Sequence, residues 1–228
     1  VNMRTAQRFF VTGTDTEIGK TRITAGLLEK AARVGLQSLG IKPVASGSDM
    51  TIDGLRNEDA LAHQAASSYP CPYDIINPFC FAPAIAPHIV AEQEKVILTV
   101  ATITEALKPA LSEPADFVLV EGAGGWHTPL NQTECYSDWV KAAGLPVIVV
   151  VGVKLGAINH ALLTVESIER AGLTVAGWVA NCVDADMPYQ QENLDYLMAH
   201  MPAPCLGVVP FLQSDESAAD YLSLPLDA

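Results

Sequence analysis

The sequence predicts one α/β domain over residues 1–228, with a mostly parallel β-sheet flanked by helices. Three observations predict it. Short apolar runs alternate with longer amphipathic ones, the rhythm of β-α-β units. Several of the short runs are β-branched without polar alternation, as strands covered on both faces are. A chain of 228 residues, half of them hydrophobic, suits one domain with a substantial core.

The expected strands are Phe9–Thr12, Ser38–Lys42, Phe117–Glu121, Val147–Val151, Val175–Asn181 and Cys205–Pro210. The expected helices are Lys20–Arg33, Asn57–Ala66, Thr102–Leu111, Asn159–Ala171 and Tyr189–Met201. Gly35, Gly144 and Gly172 follow amphipathic segments and read as helix terminators. Between Ser68 and His88 five prolines break any long helix or central strand. That stretch is too short for a second domain and reads as an ordered insertion over the ligand edge of the sheet.

The formal net charge of −13 argues against nucleic-acid partners, because an acidic chain repels phosphate backbones. Five cysteines without a Cys-x-x-Cys spacing fit free thiols better than a disulfide framework or a zinc site. No run of about 18 apolar residues suggests a membrane span. Val1–Phe10 lacks an apolar signal core, so a cytoplasmic protein is expected.

The strongest motif is Gly13-Thr14-Asp15-Thr16-Glu17-Ile18-Gly19-Lys20-Thr21, between an expected strand and an expected helix. That is the setting of a P-loop, and it makes the expected fold P-loop NTPase-like. Backbone N–H groups there can cradle phosphate, Lys20 can reach the β- and γ-phosphates, and the Thr21 hydroxyl can ligate magnesium. The spacing departs from the usual one: five residues, not four, separate the two glycines. Glu17 inside an anion-binding loop points either to an accidental match or to a loop that also serves a cationic second substrate.

Phe117–Glu121 is an apolar strand ending in an acid, where such enzymes place a magnesium-linked carboxylate. Gly122, Ala123 and Gly124 after it let the backbone approach a ligand closely. Lys42 ends another strand, and Pro43 holds it extended. It is either a solvated lysine or a second ammonium beside a transferring phosphoryl group. Asp59 and Glu58 both open a helix, and the sequence does not choose between them. The five histidines show no paired metal spacing and read as structural or solvated. Trp126 and Trp139 read as packing residues near Glu121.

Five segments together resemble the dethiobiotin synthetase family. They are Thr12–Thr21, Lys42–Gly47, Gly54–Leu61, Val120–Trp126 and Val151–His160. The resemblance covers nearly the whole chain, and the longer P-loop is itself a feature of that family. It implies closure of a ureido ring on a diamine, 7,8-diaminopelargonate, with carbon dioxide (or bicarbonate) and ATP. It implies that Glu17, Ile18, Gly19, Lys20, Thr21 and Arg22 bind ATP phosphates, and that Thr21, Asp59 and Glu121 hold Mg2+. Lys42 would be catalytic together with Lys20, while Thr16, Ser46, Gly152 and Asn159 would contact substrate. Asn181 would read adenine, with Pro210, Phe211, Leu212 and Glu216 around base and ribose. Cys182 stands where a guanine-reading motif would carry lysine, which favours adenine. The family further implies a homodimer, with Gly152–His160 binding a substrate carboxylate across a two-fold interface. Two other readings remain open. One is an amidating ligase of the cobyrinate type, though no glutaminase signature is visible. The other is a partitioning ATPase, though Thr14 and Asp15 stand where such proteins carry a second loop lysine.

Overall fold

The computed structural model describes residues 6–225. Part of the Val1–Phe10 stretch and both ends of the expected domain therefore lie outside the described residues. Six strands form the main sheet: β1 (Gln7–Gly13), β2 (Ser38–Ile41), β7 (Phe117–Gly125), β8 (Val147–Val153), β9 (Val175–Cys182) and β10 (Cys205–Val209). All neighbouring pairs are parallel, in the order β10-β9-β8-β1-β7-β2. Two small sheets sit beside it. β3 (Val44–Ala45) pairs in parallel with β6 (Phe79–Cys80), and β4 (Asp49–Thr51) forms a hairpin with β5 (Gly54–Arg56).

The helices are α1 (Lys20–Arg33), α2 (Glu58–Ala66), α3 (Tyr73–Ile76), α4 (Pro87–Gln93), α5 (Val100–Leu111), α6 (Tyr136–Ala143), α7 (Ala157–Arg170) and α8 (Gln190–His200). A 3-10 turn lies at Ala219–Tyr221. Period-2 alternation divides the buried strands between two cores. Phe10, Leu39, Ile41, Val118 and Val120 face one layer, together with buried residues of α5, α6, α7 and α8. Phe9, Val11, Phe117, Leu119 and Val150 face the other, against Ile23, Leu27 and Leu28 of α1. The expected β-α-β architecture is what forms.

The differences from expectation have local causes. Asn57 is not in α2 but caps it, its side chain accepting from Asp59 N and Ala60 N. α5 starts at Val100, not Thr102, because Thr99 and Thr102 form a reciprocal capping box. α7 starts at Ala157 after a left-handed Gly156, and α8 at Gln190 after a left-handed Tyr189. β7 runs past Glu121 to Gly125, because an irregular register lets Gly13 pair with Gly125. The proline-rich segment is ordered: Asn77 Nδ2 donates to Lys42 O (2.6 Å), β6 joins β3, and Pro87 takes the first helical position of α4. Trp126 and Trp139 are buried in an aromatic cluster around Phe10.

The strand order positions the site. β7 lies between β1 and β2, so the C-terminal ends of these three strands meet at one edge. Val11 pairs with Glu121 and Ile41 with Val120, which sets Lys42 beside Glu121.

On the other side of β1, Gly152 in β8 has no room for a side chain. A Cβ there would lie 2.4 Å from Ile18 Cγ2 and 2.6 Å from Ile18 Cβ. Gly152→Ala should therefore displace the Gly13–Thr21 loop and cost about 1–3 kcal/mol. Ile18→Ala in the same chain should recover part of that loss. Denaturant midpoints of both single variants and the double variant check it, since strictly additive effects would mean the two residues are not in contact.

Candidate active site

The loop after β1 is held from below at four points. Thr14 N donates to Val150 O (3.0 Å), and Gly152 N donates to Thr14 Oγ1 (3.3 Å). Lys154 Nζ pairs with Asp15 Oδ2 (2.8 Å), and Asn181 Nδ2 donates to Ile18 O (2.8 Å). Glu17 has φ 54 and Gly19 φ 81. A non-glycine residue at positive φ is strained, and such strain persists only where surroundings over-determine it. The loop then opens α1 with Lys20, where first-turn amides have no intrahelical partner, and Gly19, Lys20, Thr21 and Arg22 line a cleft of about 1130 Å³.

Lys20 is buried, and its Nζ donates to Asp15 O (3.0 Å). Burial, with Lys42 nearby, pushes its pKa down to about 8. Lys42 is 4 % exposed. Its Nζ donates to Glu121 Oε1 (2.8 Å) and Gly122 O (3.1 Å), and lies 3.1 Å from Asp59 Oδ2. Burial alone would lower the Lys42 pKa, but Glu121 and Asp59 outweigh it and raise it, so the side chain is an ammonium. Glu121 is fully buried. Burial pushes its pKa up; Lys42, then His63, outweigh burial and hold the carboxyl well below the usual range. Thr21 Oγ1 donates to the same Oε1 (3.1 Å).

The structure thus brings Lys20, Thr21, Lys42, Asp59 and Glu121 to one mouth. Asp59, not Glu58, is the acid that reaches Lys42. The cleft is also lined by Thr16, Glu17, Gly19, Arg22, Ser46, Ala123, Gly124 and Glu216. Ala84, Ile85, Ala86 and Pro87 from the proline-rich segment form an apolar wall.

Other expected residues lie elsewhere. Ile18 and Gly122 are buried beneath the cleft, and a Cβ on Gly122 would meet Phe10 Cζ at 2.6 Å. Asn181 is occupied bracing the loop. The Leu212 side chain is in the core, and its carbonyl accepts from Arg22 Nη1 (2.9 Å). Pro210 and Phe211 are exposed. The Gly152 N–H, expected to be free for a carboxylate, is bonded to Thr14 instead, so the junction's open part is further on, where Asn159 is exposed on α7. Two participants were not singled out from sequence. Lys154 pins the loop through Asp15, and His63 Nε2 lies 2.8 Å from Glu121 Oε2. The signal for His63 was its position four residues after Asp59, on the same face of α2.

A phosphate-binding loop at the carboxyl edge of a parallel sheet, with buried lysines and an acid beside it, defines a P-loop nucleoside-triphosphate-using domain. The solved structures it resembles agree at the level of fold. One is a ParA family ATPase from Chlorobium tepidum TLS, with TM-score 0.54 and 15% identity, covering 92% of this chain and 86% of that one. Another is the cell division protein FtsY of Thermotoga maritima, with TM-score 0.54 and 14% identity, covering 97% and 66%. Residues 7–218 match a family described as an AAA domain. Relatives in sequence are far nearer. The ATP-dependent dethiobiotin synthetase BioD of Pseudomonas aeruginosa strain UCBPP-PA14 is 54% identical over 218 residues, covering 96% of each chain. That of Cellvibrio japonicus is 52% identical over 219 residues, covering 96% of this chain and 95% of the relative. The chain belongs to the ATP-dependent dethiobiotin synthetase family.

The Asp15–Lys154 pair gives a pH test. Lys154 is the main cause of the lowered Asp15 pKa, relative to an ordinary 3.8. A depressed carboxyl contributes stability above its unfolded pKa and loses it as pH falls through the folded one. Both side chains are more than a third exposed, so screening keeps the effect small. Lys154→Met should cost about 0.2–1 kcal/mol near neutral pH. The difference from wild type should shrink as pH falls below the ordinary Asp value of 3.8 and vanish once Asp15 is protonated in the folded state, in paired urea titrations.

Proposed function

We propose that this protein carboxylates 7,8-diaminopelargonate with carbon dioxide and closes it to the cyclic urea dethiobiotin, converting ATP to ADP and phosphate. Membership of the synthetase family supports the overall reaction. The observation that carries the chemistry is Lys42, a buried ammonium beside Glu121 and within reach of the phosphate loop.

One substrate amine adds to carbon dioxide, releasing a proton and leaving a carbamate. A carbamate oxygen attacks the γ-phosphorus and ADP departs, giving a mixed carbamic-phosphoric anhydride. The second amine attacks the carbonyl carbon and gives up a proton, phosphate leaves, and the ring is closed. Negative charge gathers between carbamate and γ-phosphate throughout. Lys20 serves the phosphate side and Lys42 the carbamate side, where a fixed cation needs no reorganisation. Lys42 must then share its ammonium between Glu121 and the carbamate. The Ser46 hydroxyl, on the cleft lining, orients the amine, and the Ala84–Pro87 wall accepts the alkyl chain.

Magnesium fits this residue set. Thr21 Oγ1 and Glu121 Oε1 lie 3.1 Å apart and Asp59 reaches Lys42 beside them, an all-oxygen donor set of the kind magnesium takes. Among the described residues no cluster of three His, Cys, Asp or Glu could hold a metal by itself. Magnesium characteristically uses one or two carboxylates and takes its remaining ligands from water and substrate phosphates. Thr21, Glu121 and Asp59 would hold it, and when bound it would neutralise β- and γ-phosphate oxygens. Adenine would be read near Asn181, with Phe211 and Glu216 beside the base and ribose.

The assembly we favour is a homodimer. Leu155 is 92 % and Leu163 55 % exposed around the β8–α7 junction, which suits an apolar isologous contact. A cytoplasmic setting suits the five free cysteines. Among the described residues no helix is long and apolar enough to cross a membrane.

Three measurements test these readings. With diamine, bicarbonate, ATP and magnesium, phosphate and cyclic urea should appear in equal amounts. Phosphate release without diamine would favour a nucleotide switch. Lys42→Gln should cut kcat on the order of a hundredfold while retaining ATP binding. It also leaves Glu121 buried with a poorer partner, at a cost of about 3–5 kcal/mol, so assays belong well below its melting temperature. Unchanged kcat would remove Lys42 from the reaction. Sedimentation should show a dimer for the wild type and monomers for Leu155→Asp/Leu163→Asp; a fully active wild-type monomer would contradict the shared-site reading.

A further inference from the structure

The buried histidine beside Glu121 has no part in the steps above. His63 and Glu121 are both fully buried, and Nε2 of the first lies 2.8 Å from Oε2 of the second. The approach is off the line of a well-formed hydrogen bond, yet neither atom has another partner among the described residues. An ionised carboxylate only accepts, so Nε2 carries the proton that faces it. The two carboxylate oxygens are thereby divided. Oε1 takes Thr21 and Lys42, and Oε2 takes His63.

The backbone is arranged to keep the imidazole there. Asp59 and His63 are one helical turn apart, so α2 offers one side chain to Lys42 and the other to Glu121. Gly40 in β2 leaves the space: a Cβ on it would lie 2.9 Å from His63 Cβ. Ser67 ties the end of α2 to the same strand, its Oγ donating to His63 O (2.6 Å) and accepting from Gly40 N (2.9 Å). The terminal torsion of a glutamate is soft, so an oxygen without a donor leaves the carboxylate free to turn. An apolar side chain at position 63 could fill the volume but would leave Oε2 buried without one.

We propose that His63 is a positioning residue, fixing the Glu121 carboxylate so that Oε1 stays presented to Thr21, Lys42 and the cation. The proposal rests on the reading of Glu121 as a magnesium-linked carboxylate and extends it to the group behind it. Groups that orient metal ligands typically change metal affinity about 10- to 100-fold when replaced.

The test uses His63→Leu and His63→Gln in the full chain, with two readouts other than turnover. Metal-free crystal structures should show the Glu121 carboxylate turned or split between positions in His63→Leu, with the wild-type orientation kept in His63→Gln. Counting free Mn2+ by electron paramagnetic resonance, with a non-hydrolysable ATP analogue present, should show binding about 10- to 100-fold weaker in His63→Leu. His63→Gln, which keeps an N–H donor, should restore most of it. A His63→Leu protein with a lower melting temperature but unmoved Glu121 and wild-type Mn2+ affinity would overturn the proposal and leave His63 a filler of space. Were the wild type itself to take up no Mn2+ with nucleotide, the metal reading of Glu121 would fail, and the metal-free structures would still decide the positioning role.

Discussion

A charged carboxylate with no solvent contact has to be compensated by its neighbours, and Glu121 is such a group. Burial opposes its charge, and Lys42 and His63 overcome that opposition. Each partner comes from a different element: Thr21 from α1, Lys42 from the end of β2, His63 from α2. The ion pair therefore joins three parts of the chain at the mouth where phosphate chemistry is proposed. Such a pair adds little net stability over a well-packed apolar core, but removing one partner is costly. Its value lies in fixing where charges stand before substrate arrives, which is what electrostatic catalysis needs.

The phosphate loop depends on the same economy of space. Its extra residue is accommodated because the loop is tied down through Thr14, Asp15 and Ile18 to β8, to Lys154 at its end and to Asn181 of β9. Asn181 thus supports the loop directly, its Nδ2 donating to Ile18 O. Another part of the cleft is built differently: there the proline-rich insertion supplies Ala84, Ile85, Ala86 and Pro87, an apolar contribution to a lining that is otherwise largely polar.

Much of this was legible in the sequence. Several of the six main strands are buried β-branched runs, β8 above all, and such runs declare themselves without tertiary context. The two-residue strands β3 and β6, the four-residue α3 and the eight-residue α6 did not. They are too short for periodicity, and α6 begins at a cysteine cap, not a serine or threonine one. Candidate site residues such as Lys20, Thr21 and Glu121, which line one cleft, were singled out from local motif. Their convergence was not, because Lys42 meets Glu121 only through the strand order β1-β7-β2. Asp59 and Glu58 are both first-turn acids of α2, and only the packing of that helix selects Asp59. His63 stands four residues after Asp59 on the same face of α2, but that spacing points to Glu121 only once α2 is packed against β7.

A crystal structure with magnesium, a non-hydrolysable ATP analogue and the diamine carbamate would show whether one carboxylate organises both the proposed cation and the Lys42 ammonium. The cation should lie on Thr21 Oγ1 and on Glu121, directly or through one bound water, with Lys42 Nζ in hydrogen-bond contact with the carbamate. A cation bound away from Glu121, with Lys42 still held on Glu121 alone and out of reach of the carbamate, would contradict that organisation.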